Sequence, residues 1–299
     1  MIKNVGFVGV GTMGEPMARN LLKAGFDLYV VAHRNRAPVE RLVREGATEV
    51  SSVADLAARV EVLICCVSND AAVEEVMLGK GGVFEGGREG LIVVDSSTIS
   101  PLTSQRIAAQ LAQKGIVLLD APVSGGQVGA IAGTLAIMVG GPREAYEKVL
   151  PVLQAMGEKI TYIGKNGSAL VVKLANNLIV GAILVASSEA LTMAAKAGVD
   201  PGLVQQVLSG ATSRGWLIQE KLPKSVLAGD FQPGFKLALL YKDMGLALDF
   251  GKELTVPMFI TALVHQLYAQ AVGLGKGELD CTAVAQLYAE ATKVDLRAK

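Results

Sequence analysis

Three sets of residues have the types and spacing to do chemistry. The first, Gly9-Val10-Gly11-Thr12-Met13-Gly14, has the G-x-G-x-x-G spacing, follows the apolar run Val5–Val10 and opens an amphipathic stretch from Met13 to Ala24 closed by Gly25. In that setting the first glycine permits a tight turn, the second lets backbone approach a pyrophosphate, and the third packs helix on strand. The helix N-terminus attracts the phosphates. A methyltransferase-like nucleotide site or a structural glycine turn can carry the same spacing.

The second set is Asp120-Ala121-Pro122-Val123-Ser124-Gly125-Gly126, placed after the apolar run Ile116–Leu119. The peptide N–H groups of Ser124, Gly125 and Gly126, with the serine hydroxyl, can form a concave site for a carboxylate; the alternative is a plain glycine-rich turn. The third is Lys173 with Asn177, four residues apart on an otherwise apolar stretch and therefore on one helix face. Such a lysine either snorkels to water or lines a cleft. In a cleft, desolvation lowers its pKa towards neutrality, which suits a general acid donating to a carbonyl oxygen.

Two further positions bear on these sets. Where the second strand ends, Val31-Ala32 leads into His33-Arg34-Asn35-Arg36 with no carboxylate before Glu40. Cations and an amide suit the 2′-phosphate of NADP, whereas NAD enzymes usually place Asp or Glu there. The alternative is that Arg34 and Arg36 are ordinary solvated loop cations. Lys242-Asp243 puts two charges into the helical run Phe235 to Ala247, the pattern of a solvated helix face, and Met13, Met193 and Trp216 read as core or lining residues.

The elements that must position these residues follow from the apolar pattern. Short β-branched runs alternate with amphipathic stretches from Val5 to about Gly164: Val5–Val10, Leu28–Val31, Val60–Val67, Leu91–Asp95, Ile116–Asp120, a run from Thr134 to Val139, and Ile160–Ile163. Such alternation predicts parallel strands joined by right-handed crossovers, an α/β fold of the Rossmann-type, doubly wound kind. From residue 166 onward only helical segments remain, beginning with one long helix over 168–197. A helix of about 30 residues spans ~45 Å, which suits a connector between domains. The expected division is therefore a dinucleotide-binding domain at 1–165 and an all-α domain at 166–299.

Composition excludes several classes. The 299 residues carry 28 Lys+Arg and 28 Asp+Glu, a net charge of zero without a basic run, which argues against a nucleic-acid partner. A hydrophobic content of 51% excludes disorder. The longest apolar run, Leu174 to Ser188, falls short of the ~20 residues of a membrane span and contains Asn176 and Asn177. No basic n-region with a cleavage site precedes Val5, so a cytoplasmic protein without a membrane partner is expected. Cys65 and Cys66 are adjacent and Cys281 is distant, so no disulfide is expected; His33 and His265 lie far apart in sequence, so no metal site is expected either.

Taken in chain order, Gly9–Gly14 with Met13 inside it, Asp95-Ser96-Ser97-Thr98 with Pro101, Asp120 to Gly126, Lys173 with Asn176-Asn177, and Phe235 with Lys242-Asp243 resemble the motifs of the β-hydroxyacid dehydrogenase family. The likeness runs from about Val5 to Ala289. It implies a Rossmann-type domain, a long helix, an all-α domain, and a cleft that holds a small carboxylate substrate against the nicotinamide of NADP or NAD. Lys173 would be the catalytic acid/base, assisted by Asn177. Ser124, Gly125 and Gly126 would hold the substrate carboxylate. Val67, Ser68 and Thr98 would lie against the cofactor, and Lys242 with Asp243 would close the site, Lys242 on the cofactor side and Asp243 on the substrate side. A homo-oligomer, dimer or tetramer, is implied as well. Imine-reductase-like relatives generally lack the lysine found here as Lys173, and a non-catalytic dinucleotide-binding protein would be expected to have lost it.

Overall fold

Apolar residues that alternate sides along a strand need cover on both faces, and the first half of the chain supplies it. The computed structural model describes residues 2–298. Its first unit runs β1 (Asn4–Val8), α1 (Gly14–Lys23), β2 (Asp27–Val31), α2 (Ala37–Arg44), β3 (Thr48–Val50), α3 (Val53–Arg59), β4 (Val62–Cys65), α4 (Asp70–Leu78), α5 (Val83–Gly86) and β5 (Ile92–Asp95). It continues through α6 (Pro101–Ala112), β6 (Val117–Asp120), β7 (Val123–Ser124), α7 (Gly126–Ala132), β8 (Leu135–Gly140), α8 (Arg143–Gln154) and β9 (Gly157–Gly164) into α9 (Ser168–Lys196).

The strand order is β3-β2-β1-β4-β5-β6-β8-β7, with β9 on the other edge of β8. From β3 to β6 every pairing is parallel. The four residues of β4 show why the sequence reads as one apolar run: Val62 and Ile64 enter one core with Phe7 and Val30, while Leu63 and Cys65 enter the other with Val93 and Leu118. The order reverses between β1 and β4, and the crevice outside the carboxyl ends at such a reversal is where doubly wound sheets bind ligands. Asn20 of α1 donates to the Ala130 carbonyl of α7 at 2.8 Å, tying the helix after the glycine motif to the helix after the Ser124 loop.

The expectation of a wholly parallel sheet is corrected at the far edge. β8 runs antiparallel to both β6 and β7, meeting β6 only at Asp120–Gly140. The chain between β6 and β8, residues 121–134, goes into β7, which itself pairs antiparallel with β8, and the 7-residue α7, so it returns as a wide hairpin and not as a helical crossover. Two strands escaped the sequence reading. β3, Thr-Glu-Val with a single buried residue, and the 2-residue β7 are both too short to show an apolar period.

The compact units divide between Lys173 and Leu174, inside α9, rather than at the expected 165/166 junction. The reason is packing: Ala169 and Leu170 are fully buried, and Leu170 belongs to the core beneath α3 and α6. The first turns of the helix therefore belong to the sheet unit. By length and composition the 29-residue α9 is long enough to cross a membrane. One stripe of it, with Leu184, Val185 and Leu191, lies in the core of the second unit, while Ile179 and Met193 are exposed.

That second unit adds α10 (Pro201–Gly210), a π-helical turn at Leu217–Lys221, α11 (Leu222–Lys224), α12 (Leu237–Glu253), α13 (Phe259–Gly273), a 3-10 turn at Cys281–Val284 and α14 (Ala285–Thr292). Leu240, Met244, Val264 and Tyr268 complete its core. Asp280 is a buried hub, accepting from Lys221 Nζ at 2.7 Å and from the Gly234, Phe235 and Thr282 amides, which holds the loop ahead of α12. Met193 and Trp216, read as core or lining, are exposed at 71% and 66%.

Candidate active site

The three glycines of the first motif have distinct surroundings. Gly9 has φ +90, and a Cβ there would stand 2.1 Å from the Cys66 carbonyl oxygen; one at Gly14 would stand 2.1 Å from the Gly9 oxygen. A Cβ at Gly11 would meet nothing within 4 Å. Two glycines are thus packed into the turn, and the middle one presents bare backbone to open space, the cradle a pyrophosphate requires. Met13 precedes α1 without any side-chain cap bond; the Glu15 amide turns back to the Gly11 carbonyl at 2.9 Å and Pro16 has no N–H, so an anion at this helix start would meet the amides ahead of Glu15. Thr12 is exposed and Met13 packs on the sheet core.

The cations after β2 separate. Arg36 gives its guanidinium to Glu49 at 2.9 and 3.1 Å and lies 3.9 Å from Glu40. Asn35 accepts the Ala37 amide at 3.2 Å as a turn. Arg34 is exposed and has no partner among the described residues. Glu15, in the first turn of α1, is neutralised by Arg41 at 2.8 Å and Arg19 at 3.0 Å.

Behind the loop after β4, the Val67 amide donates to Ser97 Oγ at 2.9 Å, and the Ser97 amide donates to Asp95 Oδ1 at 3.0 Å. Ser68 is exposed and Thr98 half-buried. Asp95 thus fixes the loop bearing Val67 and Ser68 through Ser97, a role the sequence reading did not assign. Burial, opposed by the Ser97 hydrogen bonds, pushes Asp95 up to about 6. The native form therefore keeps its proton through a range where the unfolded chain, near pH 4, has lost it, and stability falls as pH rises from about 4 to 6. Asp95→Asn keeps an acceptor for Ser97 and removes that loss. Melting experiments from pH 4 to 8 should show the variant more stable by about 1–3 kcal/mol above pH 6, with the gap closing near pH 4.

In the Ser124 loop, Gly125 and Gly126 have φ +136 and +62, a turn L side chains resist. Their amides donate to no backbone carbonyl among the described residues. Lys173 is 8% exposed and Asn177 is 3% exposed, so the lysine does not snorkel to water. The Asn177 amide donates to Asp243 Oδ2 at 2.6 Å and accepts from Asn176 at 2.9 Å. Asp243 Oδ1 lies 2.9 Å from the Lys242 ammonium. The pair expected on a solvated face sits on α12 with Asp243 2% exposed, and the geometry makes that carboxylate an orienter of Asn177, with Lys242 as its counter-charge. Among the described residues no cluster of His, Cys, Asp or Glu can hold a metal, and all three cysteines are free.

The start of α9 gives Asp120 a role the sequence reading did not assign. Gly167 precedes the helix and has no capping side chain, and Asp120 at the end of β6 takes that place, accepting from the Gly167 amide at 2.8 Å and the Ala169 amide at 3.1 Å. An uncapped glycine before a long helix was the available signal.

Comparison with known proteins gives the family. Residues 4–164 match the family described as the NAD binding domain of 6-phosphogluconate dehydrogenase, and residues 167–288 match NAD-binding of NADP-dependent 3-hydroxyisobutyrate dehydrogenase. The chain is 38% identical to 2-(hydroxymethyl)glutarate dehydrogenase of Eubacterium barkeri, over 98% of this chain and 97% of that one. It is 40% identical to 2-hydroxy-3-oxopropionate reductase of Escherichia coli K12, over 94% and 96%. Among solved structures, Mycobacterium tuberculosis 3-hydroxyisobutyrate dehydrogenase with L-serine has a TM-score of 0.89 at 30% identity, covering 96% of this chain and 99% of that one.

Proposed function

Because the chain belongs to the β-hydroxyacid dehydrogenase family and is an NAD(P)-dependent oxidoreductase, we propose that it interconverts a small β-hydroxyacid and its semialdehyde carboxylate, with Lys173 as the general acid/base. The observation that carries this reading is a lysine buried to 8% exposure on an apolar helix, one turn before the buried Asn177. The bound nicotinamide dinucleotide supplies the hydride in reduction and takes it up in oxidation. Gly9, Gly11 and Gly14 hold its pyrophosphate end. Ser124 Oγ and the Gly125 and Gly126 amides bind the substrate carboxylate. Lys173 Nζ gives its proton to the carbonyl oxygen as negative charge develops there, and takes it back in the oxidative direction. Asn177, held by Asp243, orients the reacting groups.

The substrate class is that of tartronate semialdehyde, 3-hydroxyisobutyrate, succinic semialdehyde or glyoxylate. Both curated relatives cited above are named for carboxylate-bearing substrates. The test is absorbance at 340 nm with NADPH and NADH against tartronate semialdehyde, methylmalonate semialdehyde, succinic semialdehyde and glyoxylate. Oxidation of the coenzyme by a carboxylate-bearing aldehyde and not by its uncharged counterpart supports the reading. A protein that binds NADPH yet oxidises it with none of them overturns it.

NADP is the proposed coenzyme, with Arg34 as its selector. Arg34→Ala should raise the KM for NADPH by about tenfold or more and leave that for NADH within about twofold, since one charged hydrogen-bond partner is worth ~1.5–3 kcal/mol. Arg36→Ala, whose guanidinium already serves Glu49, should move neither. Exposed apolar side chains on the second unit, Ile179, Met193, Phe259 and Leu263, support a homo-oligomer. Three free thiols suit the reducing cytoplasm.

A further inference from the structure

We propose that Asp120 is a positioning residue for Lys173, a carboxylate latch that sets the start of α9 against the end of β6 and so fixes the acid/base relative to the Ser124 loop. The inference rests on the reading of Lys173 as the acid/base and of the Ser124 loop as the carboxylate site.

The latch is built from both sides. Asp120 is 1% exposed, and its two oxygens divide between the Gly167 and Ala169 amides, with Asn166 Nδ2 3.4 Å from Oδ1. It thus meets the first amides of α9, where the helix dipole favours a negative charge. Asn166 also donates to the Leu118 carbonyl of β6 at 2.8 Å, and its own carbonyl accepts from Gln105 at 3.1 Å. Space for the carboxylate is made by its register partner Gly140, where a Cβ would stand 2.6 Å from Asp120 Oδ2 and 2.9 Å from the Lys165 oxygen.

One residue therefore joins two lines of chain. Forward along the strand, Ser124 follows Asp120 by four positions; along α9, Lys173 follows Ala169 by four, about 6 Å of axial rise. Rotation or slip of the helix start moves the ammonium without touching the glycine loop at β1. A carboxylate suits the task because both partners on the helix are N–H donors; an amide in its place turns its NH2 towards one of them.

The test is a double-mutant cycle of Asp120→Asn and Lys173→Ala, with NADPH affinity and melting temperature measured on each protein. A positioning role predicts that Asp120→Asn alone lowers kcat by about tenfold or more at nearly unchanged NADPH affinity, and that in the Lys173→Ala background it lowers the residual kcat by less than about twofold. Equal losses in both backgrounds, no loss in either, or a loss that tracks NADPH affinity overturn the proposal. Failure of the underlying reading is seen separately, as a Lys173→Ala protein with wild-type kcat. Where Asp120→Asn does not accumulate as folded protein, Gly140→Ala, which crowds the carboxylate without removing it, goes through the same cycle and is held to the same outcomes.

Discussion

Lys173→Ala lowers kcat by about 10²–10⁴, the range of a lost general acid, while NADPH affinity stays within about twofold. The size follows from what the position provides. Carbonyl reduction builds negative charge on oxygen, and Lys173 is the proton donor assigned to it. The glycine loop and Arg34 are untouched by the change, so coenzyme affinity should hold. Alanine is the strongest helix former and fits the apolar face of α9, so the fold should persist. Lys173→Arg should not restore the rate, because a guanidinium holds its proton far too tightly to act as the acid. Stopped-flow single turnovers at saturating NADPH read the chemical step directly. A kcat within about threefold of wild type would remove Lys173 from the mechanism.

The second large effect separates two glycines that differ in role though they are only two residues apart in sequence. Gly11→Ala should leave the melting temperature almost unchanged, because its Cβ enters open space, and should weaken NADPH binding by about tenfold or more, because that space is where the pyrophosphate must approach the backbone. Gly9→Ala should instead damage the protein itself. Its φ of +90 and the Cys66 oxygen 2.1 Å from the added carbon act together, for a destabilisation of about 2–4 kcal/mol. Calorimetric titration with NADPH beside thermal melts reads both quantities. Equal losses of stability at the two positions would mean that the loop is a structural turn, not a coenzyme cradle.

The fold was legible in the sequence where its signals were local and repeated. The runs around Phe7, Val30, Ile64 and Val94 could only be strands covered on both sides, and their alternation with amphipathic stretches implied the crossover handedness. The Thr-Glu-Val strand at Thr48–Val50 was not legible, because three residues with one side chain inside carry no period. The reversal at Leu135–Gly140 was not legible either, since strand direction depends on the 2-residue β7 folding back onto β8 and not on the strand's own residues. Cations at Arg34 and Arg36 looked equivalent; Glu49, thirteen residues further on in β3, makes them different.

By itself the sequence determined the class of fold, the two glycine turns at Gly9–Gly14 and Ser124–Gly126 and the apolar helix that carries Lys173 and Asn177, because spacing along a strand, turn or helix fixes which side chains share a face. Only the tertiary structure decided that Lys173 is buried and not snorkelling, that Asp243 holds Asn177, that Asp95 reaches Val67 through Ser97, and that Asp120 caps a helix 47 positions further along. Each of these joins residues distant in sequence. Burial and hydrogen bonding there depend on which strand lies beside which, and no local pattern records that.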